Sequence, residues 1–188
     1  LSDPGPDGVA RREALKNALE LKNTEFNAQG VELNQRCVSD AVIPDANDLG
    51  EVWNRDPELY LQATTRPGAK VPHAWLIGES GRRISMLDLV GKGRTTLVTG
   101  LAGQAWANAV QEVNMPYLDV LVVGTPKAQD VYCEWQAVRE IDEAGALLIR
   151  PDGVVAWRSK NGVPDSIQAK EALLKAMGSV FSTNLGQA

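Results

Sequence analysis

Two apolar runs, Ala146–Arg150 and Val154–Arg158, flank the tripeptide Pro151-Asp152-Gly153. Proline pre-sets φ for a turn and glycine accepts φ > 0, so the stretch is predicted to be a β-hairpin. A second stretch, Arg66–Leu76, carries Pro67 and Pro72 ahead of an apolar run. It reads as a stiff entry into a buried strand. Neither stretch contains a nucleophile.

The remaining pattern from His73 onward supplies alternating elements. Strands are predicted at Ala74–Ile77, Thr95–Thr99 and Leu118–Val123 besides the hairpin, and helices at Ala102–Val113, Asp130–Ile141 and Pro164–Val180. Strands and helices in turn, then an antiparallel hairpin and a last helix, describe a mixed sheet covered on both faces. Upstream, the spacing predicts a helix over Val9–Ala28, capped by Asp7 or Gly8 and stopped at Gly30, with Leu15, Ala18, Leu19 and Phe26 on one face. Such a helix is expected to dock on something. Arg36–Pro72 shows no sustained period and holds four prolines, so it reads as a long extended connector. The domains expected are therefore 1–36, 37–72 and 73–188.

Charge and composition exclude several classes. The 188 residues carry a net charge of −5 and a pI near 5.0 without a Lys/Arg cluster, which argues against a nucleic-acid partner. No apolar run reaches the roughly 18 residues of a membrane span. Two cysteines, Cys37 and Cys133, form no CxxC pair and favour an intracellular, cytoplasmic location over a disulfide scaffold. The start at Leu1, without methionine, reads as an artificial or proteolytic start inside a longer protein.

Candidate chemistry is sparse. His73 is the single histidine, and any Ser/His/Asp or Cys/His pair has to use it; at a strand start it reads as a structural residue making one hydrogen bond. Cys133 falls within the predicted helix 130–141, beside Glu134, and reads as a buried or half-buried structural thiol, as does Cys37. Asp45–Gly50 partly follows a calcium loop, but Leu49 stands where a ligand is needed. The tryptophans at 75, 106, 135 and 157 fall in regular elements and read as core. No GxGxxG or Walker sequence is present to cradle a pyrophosphate.

The element order from His73 matches the thioredoxin-like fold. The lead-in Gly81…Ser85-Met86-Leu87-Asp88-Leu89-Val90-Gly91-Lys92 is similar to that of peroxiredoxin-type members. A working thioredoxin site puts a thiolate at the helix N-terminus after the central strand. Here Gly100-Leu101-Ala102-Gly103-Gln104-Ala105-Trp106 stands there instead.

A closer resemblance rests on five stretches: Leu19–Arg36, Asp56–Tyr60, Thr64–Gly68 with Pro72–Leu76, Asp88–Gly91, and the Arg150–Arg158 hairpin. Through these the chain resembles the C-terminal region of the FAD-dependent aromatic hydroxylases of the phenol hydroxylase class, and within them the 2,4-dichlorophenol 6-monooxygenase group. Cys37 departs from the tyrosine often found after Gln35-Arg36 in such proteins. The resemblance implies a parent enzyme that uses FAD, NAD(P)H and oxygen to hydroxylate a substituted phenol. It implies FAD-binding and substrate domains upstream as partners, and a structural, oligomer-forming terminal domain here, expected as a homodimer. No catalytic, cofactor-binding or metal residue is assigned to this chain, and no cofactor is expected on it. One alternative is a free-standing, redox-inactive thioredoxin-like interaction module; a thiol peroxidase using Cys133 is another. The chain should give background rates in insulin-reduction and peroxide-turnover assays. Turnover that disappears in a Cys133→Ser variant would show that the thiol is a working site.

Overall fold

Side chains on the central strands alternate between two separate cores, and that alternation builds the larger unit. The computed structural model describes residues 1–181. Contacts divide the chain into two compact units: Leu1–Gln35 with Glu51–Gln62, and Arg36–Gly50 with everything from Ala63 onward.

In the first unit, α1 spans Pro6–Phe26 and α2 spans Gln29–Leu33. α1 starts earlier than predicted. Gly5 is its N-cap and makes no side-chain capping bond, and Pro6 takes the first helical position, where its missing N–H costs nothing. It ends at Asn27, so Gly30 is no stop signal. Gly30 lies buried within α2, where an added Cβ would fall 1.9 Å from the Pro57 carbonyl oxygen. The Asn34 side chain holds the returning segment: Nδ2 donates to the Pro57 and Tyr60 carbonyls, both at 2.8 Å, and Oδ1 accepts from the Gln62 N–H at 2.9 Å. The apolar side chains of α1 stay open. Leu15, Leu19 and Phe26 are 42%, 61% and 76% exposed.

The second unit opens with a two-stranded antiparallel hairpin, β1 (Trp75–Ile77) and β2 (Arg83–Ser85), followed by the short helix α3 (Met86–Leu89). The sequence reading did not separate β2 from the lead-in. A four-stranded sheet follows, with β3 (Thr95–Thr99), β4 (Leu118–Val122), β5 (Ala146–Ile149) and β6 (Val155–Ser159) in the order β4-β3-β5-β6. β4 runs parallel to β3, while β5 and β6 run antiparallel to their neighbours. The crossover from β3 to β4 is α4 (Gln104–Val113). The short helix α5 (Glu134–Val138) precedes β5, and α6 (Ser166–Val180) follows β6.

Because successive strand residues point to opposite faces, each strand feeds both cores. Val98, Leu147, Ile149 and Val155 meet Leu76, Met86, Trp135 and Ile141 on one side. Leu97, Leu148 and Ala156 meet Trp106, Val110, Leu173 and Met177 of α4 and α6 on the other. This is the thioredoxin-like mixed sheet with helices on both faces. The hairpin turn forms as its sequence requires: Gly153 has φ +81°, and Asp152 Oδ1 accepts from the Val154 N–H at 3.1 Å.

The helix predicted over 130–141 is shorter. Cys133 adopts φ +57°, which breaks the run, and Asp130 instead accepts hydrogen bonds from the N–H groups of Trp135 and Gln136 at 3.2 and 2.8 Å. The chain around 68–71 is laid against β6. Gly68 N–H donates to Val155 O, Val155 N–H to Ala69 O, and Val71 N–H to Gly153 O, so this stretch covers the sheet edge. Gly68 suits the path: its φ is +93°, and a Cβ there would lie 2.5 Å from the Cys37 carbonyl oxygen.

Leu148, fully buried on β5, sets the scale of core stability. Leu148→Ala should lower stability in urea by about 2–5 kcal/mol, whereas Leu87→Ala, at a position 47% exposed, should change it by less than about 0.5 kcal/mol. Equal losses at the two positions would contradict the core assignment.

Candidate functional site

Two places in the second unit gather polar groups. The first is the junction between β3 and α4, where a thioredoxin-like enzyme would carry its thiol. Gly103 is the N-cap of α4 and contributes no side-chain bond. Two residues before it, the turn's amide is taken by a distant carboxylate: Glu143 Oε1 accepts from the Leu101 N–H at 2.8 Å, and Glu143 Oε2 pairs with Arg139. Burial works to raise the Glu143 pKa, but Arg139 and the Leu101 amide outweigh it and hold the carboxyl below the usual range.

The junction is also sterically closed. A Cβ on Gly100 would lie 2.4 Å from Glu143 Oε1, and one on Gly103 would lie 1.8 Å from Thr99 Oγ1. That Thr99 hydroxyl donates to Gly145 O at 2.6 Å. Trp106, fully buried, donates through Nε1 to Ala144 O at 3.0 Å and stands edge-on to Trp157 at 5.6 Å. The site that could hold a reactive anion therefore holds the protein's own Glu143.

The second place centres on Arg158 at the end of β6. Its side chain is only 5% exposed. Nε donates to Asp45 at 3.0 and 3.2 Å, Nη2 to Asp45 Oδ2 at 2.6 Å, and Nη1 to Glu140 Oε2 at 2.8 Å and Thr65 Oγ1 at 3.2 Å. Lys160 Nζ reaches Asp45 at 3.1 Å. Glu140 Oε2 also accepts from Thr64 Oγ1 at 2.7 Å and the Thr65 N–H at 3.1 Å. Glu140 sits at φ +48°, a left-handed conformation costing about 1–3 kcal/mol for a residue with a Cβ. Its bonds to Thr64, Thr65 and Arg158 hold it there. A cleft of about 580 Å³ opens beside the cluster, walled by Ile43, Trp157, Lys160, Ala172 and Lys175. Two of its three cations, Arg158 and Lys160, already pair with Asp45.

The residues weighed from sequence lie apart. His73 Nδ1 is 2.8 Å from Ser85 Oγ, and its ring stands edge-on to Trp75 at 4.9 Å. Cys37 is half-buried, with Sγ 3.7 Å from Arg150 Nη1 and 3.8 Å from Ser39 Oγ. Cys133 is exposed, which corrects the buried or half-buried reading. The left-handed turn ahead of α5 carries it outward, and Glu134 faces away from it, accepting from the Trp75 N–H at 2.8 Å and lying 3.7 Å from Arg83. In the loop 45–50, Asp45 serves Arg158 and Lys160, while Asp48 pairs with Arg66 and accepts from the Gly50 N–H at 3.0 Å. Among the described residues no group of three or more His, Cys, Asp or Glu is placed to hold a metal ion, and no helix is long and apolar enough to cross a membrane.

Sequence reasoning missed the ion cluster and the role of Glu143. One signal was available for the first: Arg158 ends an apolar strand run, where an unpaired charge would be costly to bury.

Comparison with known proteins gives a family. The aromatic-ring hydroxylase C-terminal family matches residues 64–183. A 2,4-dichlorophenol 6-monooxygenase from Delftia acidovorans is 41% identical over 96% of this chain and 31% of its own length. A phenol 2-monooxygenase from Pseudomonas sp. (strain EST1001) is 42% identical over 85% of this chain and 27% of its own length. The crystal structure of the flavin-dependent monooxygenase PieE, in complex with FAD and substrate, matches with a TM-score of 0.80 at 39% identity, over 96% of this chain and 31% of that one. The chain thus spans less than a third of the length of these proteins.

FAD does not fit the residues at the β3–α4 junction. A flavin pyrophosphate needs open backbone amides at a helix N-terminus. Here Glu143 already sits on the Leu101 amide, and its charge would repel a second anion.

Asp45 makes the second place sensitive to acid. Burial pushes its pKa up, but Arg158 and then Lys160 more than offset that and hold the carboxyl below the usual carboxylate range. A depressed folded-state value contributes stability above the unfolded pKa, and that stability is lost as pH falls through the folded value. Wild-type stability in urea should therefore drop between about pH 5 and about pH 2, and Asp45→Asn, already less stable, should lose less over the same span. Parallel losses in both proteins would show that Asp45 makes no such contribution.

Proposed function

The chain belongs to the aromatic-ring hydroxylase C-terminal family, and on that premise we propose that it is the terminal, non-catalytic domain of an FAD-dependent phenol monooxygenase. The parent enzyme would hydroxylate a substituted phenol with NAD(P)H and oxygen in the cytoplasm, where that reductant is available. FAD and the reacting phenol would bind to upstream domains. The observation that carries the non-catalytic reading is Glu143: the protein's own carboxylate fills the turn where a thioredoxin-like enzyme would present its nucleophile.

What this chain contributes on this reading is cover. α1 presents Leu15, Leu19 and Phe26 uncovered. Together with Leu59, the first two line an open groove of about 530 Å³ in the first unit. Exposed leucines gathered in one groove, rimmed by Arg12, Lys16 and Glu20, suit a surface that a partner covers. We assign it to the preceding part of the parent enzyme, with a homodimer as the assembled form. A terminal domain held in this way keeps water from the reacting centre, and water exclusion protects reactive intermediates from unproductive decay.

The test is to truncate the full-length enzyme before Thr64 and measure coupling, the ratio of hydroxylated product to NAD(P)H oxidised. The expected outcome is a lower ratio, or loss of the oligomer, with NAD(P)H oxidation retained. A truncated enzyme that stays soluble, assembled and fully coupled would overturn the assigned role. Loss of all NAD(P)H oxidation by correctly folded, FAD-loaded protein would instead show that this chain holds catalytic machinery.

A further inference from the structure

The chain leaves the second unit after Gly50 and re-enters it at Ala63, so residues 51–62 form an excursion with two feet. Both feet arrive at one side chain. On the outgoing foot, Asp45 accepts from Nε and Nη2 of Arg158. On the returning foot, Thr65 Oγ1 and, through Glu140, Thr64 and the Thr65 amide are tied to Nη1 of the same guanidinium. The feet are also joined to each other by the Asp48–Arg66 ion pair.

The next backbone anchors lie outside the feet. Ile43 N–H donates to Ala156 O at 2.7 Å on one side, and Gly68 N–H donates to Val155 O at 2.8 Å on the other. Between these anchors, the ties described from the feet to the rest of the unit run through Arg158, Lys160, Glu140 and the Arg139 carbonyl, which accepts from Thr65 Oγ1. The two apolar cores include none of the foot residues 44–50 and 63–66.

We propose that Arg158 is the pin that the two feet of the excursion share, so that loss of its fork releases residues 45–50 and 63–66 together while the sheet stays folded. The planar guanidinium suits the task, since its donors face Asp45 on one edge and Glu140 and Thr65 on another. A lysine presents one compact charge and cannot span both edges. Removing the fork also leaves Asp45, whose side chain is 14% exposed, with Lys160 as its remaining cation, and a carboxylate stripped of most of its donors in a half-buried place moves toward solvent, carrying its segment with it. The feet thus form a local opening unit distinct from the core. This inference concerns the chain itself and stands whether or not the parent is a phenol monooxygenase.

Limited proteolysis for the feet and hydrogen exchange for the sheet, both read by mass spectrometry on the 188-residue chain, test it. In Arg158→Met, cleavage within 45–50 and within 63–66 should quicken at least about tenfold alike, while the amides of 95–99 and 146–149 keep wild-type exchange protection. Glu140→Ala should loosen 63–66 but leave 45–50 as in wild type, because Asp45 keeps its bonds to Arg158. If Arg158→Met does not fold, Arg158→Lys carries the same comparison, with at least one foot released and the sheet intact. Release of one foot alone in Arg158→Met would overturn the pin, as would unchanged cleavage at both feet or loss of exchange protection in the strands.

Discussion

The guanidinium of Arg158 is the meeting point of four stretches of chain that are distant in sequence. Asp45 lies 113 residues before it, Thr65 lies 93 before, and Glu140 lies 18 before. A side chain 5% exposed in the company of two carboxylates stays favourable only because nearly every donor finds an acceptor. The result constrains the irregular opening segments of the unit. Residues 36–50 and 63–72 have almost no regular structure, yet their path over β6 is defined by this fork and by the backbone bonds of Ile43, Gly68 and Val71. The same path covers the β6 edge, which would otherwise offer unpaired amides to another chain.

The sheet beneath is ordinary in its physics. Two cores, alternating along each strand, supply the stability. Nothing in that arrangement needs a thiol at the start of α4. Glu143, anchored by Arg139, holds the Leu101 amide in the turn that leads into α4. The turn that elsewhere presents a nucleophile is closed here by the protein's own carboxylate. That is the physical content of reading this chain as a supporting part of a larger enzyme, with relatives more than three times its length.

What was legible in the sequence follows the range of the interactions. β3 matches its predicted bounds, and β1, β4, β5 and β6 fall within one residue of theirs at each end, because apolar runs with turn residues between them encode strands locally. The Pro151-Asp152-Gly153 turn was readable for the same reason. The family resemblance was readable as well, since its stretches are contiguous. The segment 130–141 misled because an apolar-periodic pattern gave no sign that Cys133 turns left-handed and that Asp130 caps from the side. The Arg158 cluster was out of reach for a different reason. Each of its members looks like a surface charge in its own neighbourhood, and only the fold brings Asp45, Thr65 and Glu140 to one guanidinium. Glu143 is hidden in the same way, since its partner amide lies 42 residues upstream.

A double-mutant cycle measures most directly whether the Arg158 fork holds these segments. Stability in urea would be determined for wild type, Asp45→Ala, Arg158→Met and the double variant. A shared, buried ion pair predicts that the two losses are strongly non-additive, with a coupling of about 1–3 kcal/mol and a double variant scarcely less stable than Arg158→Met alone. Two losses that simply add would mean that Asp45 and Arg158 act independently, and the description of Arg158 as the common tether would then be wrong.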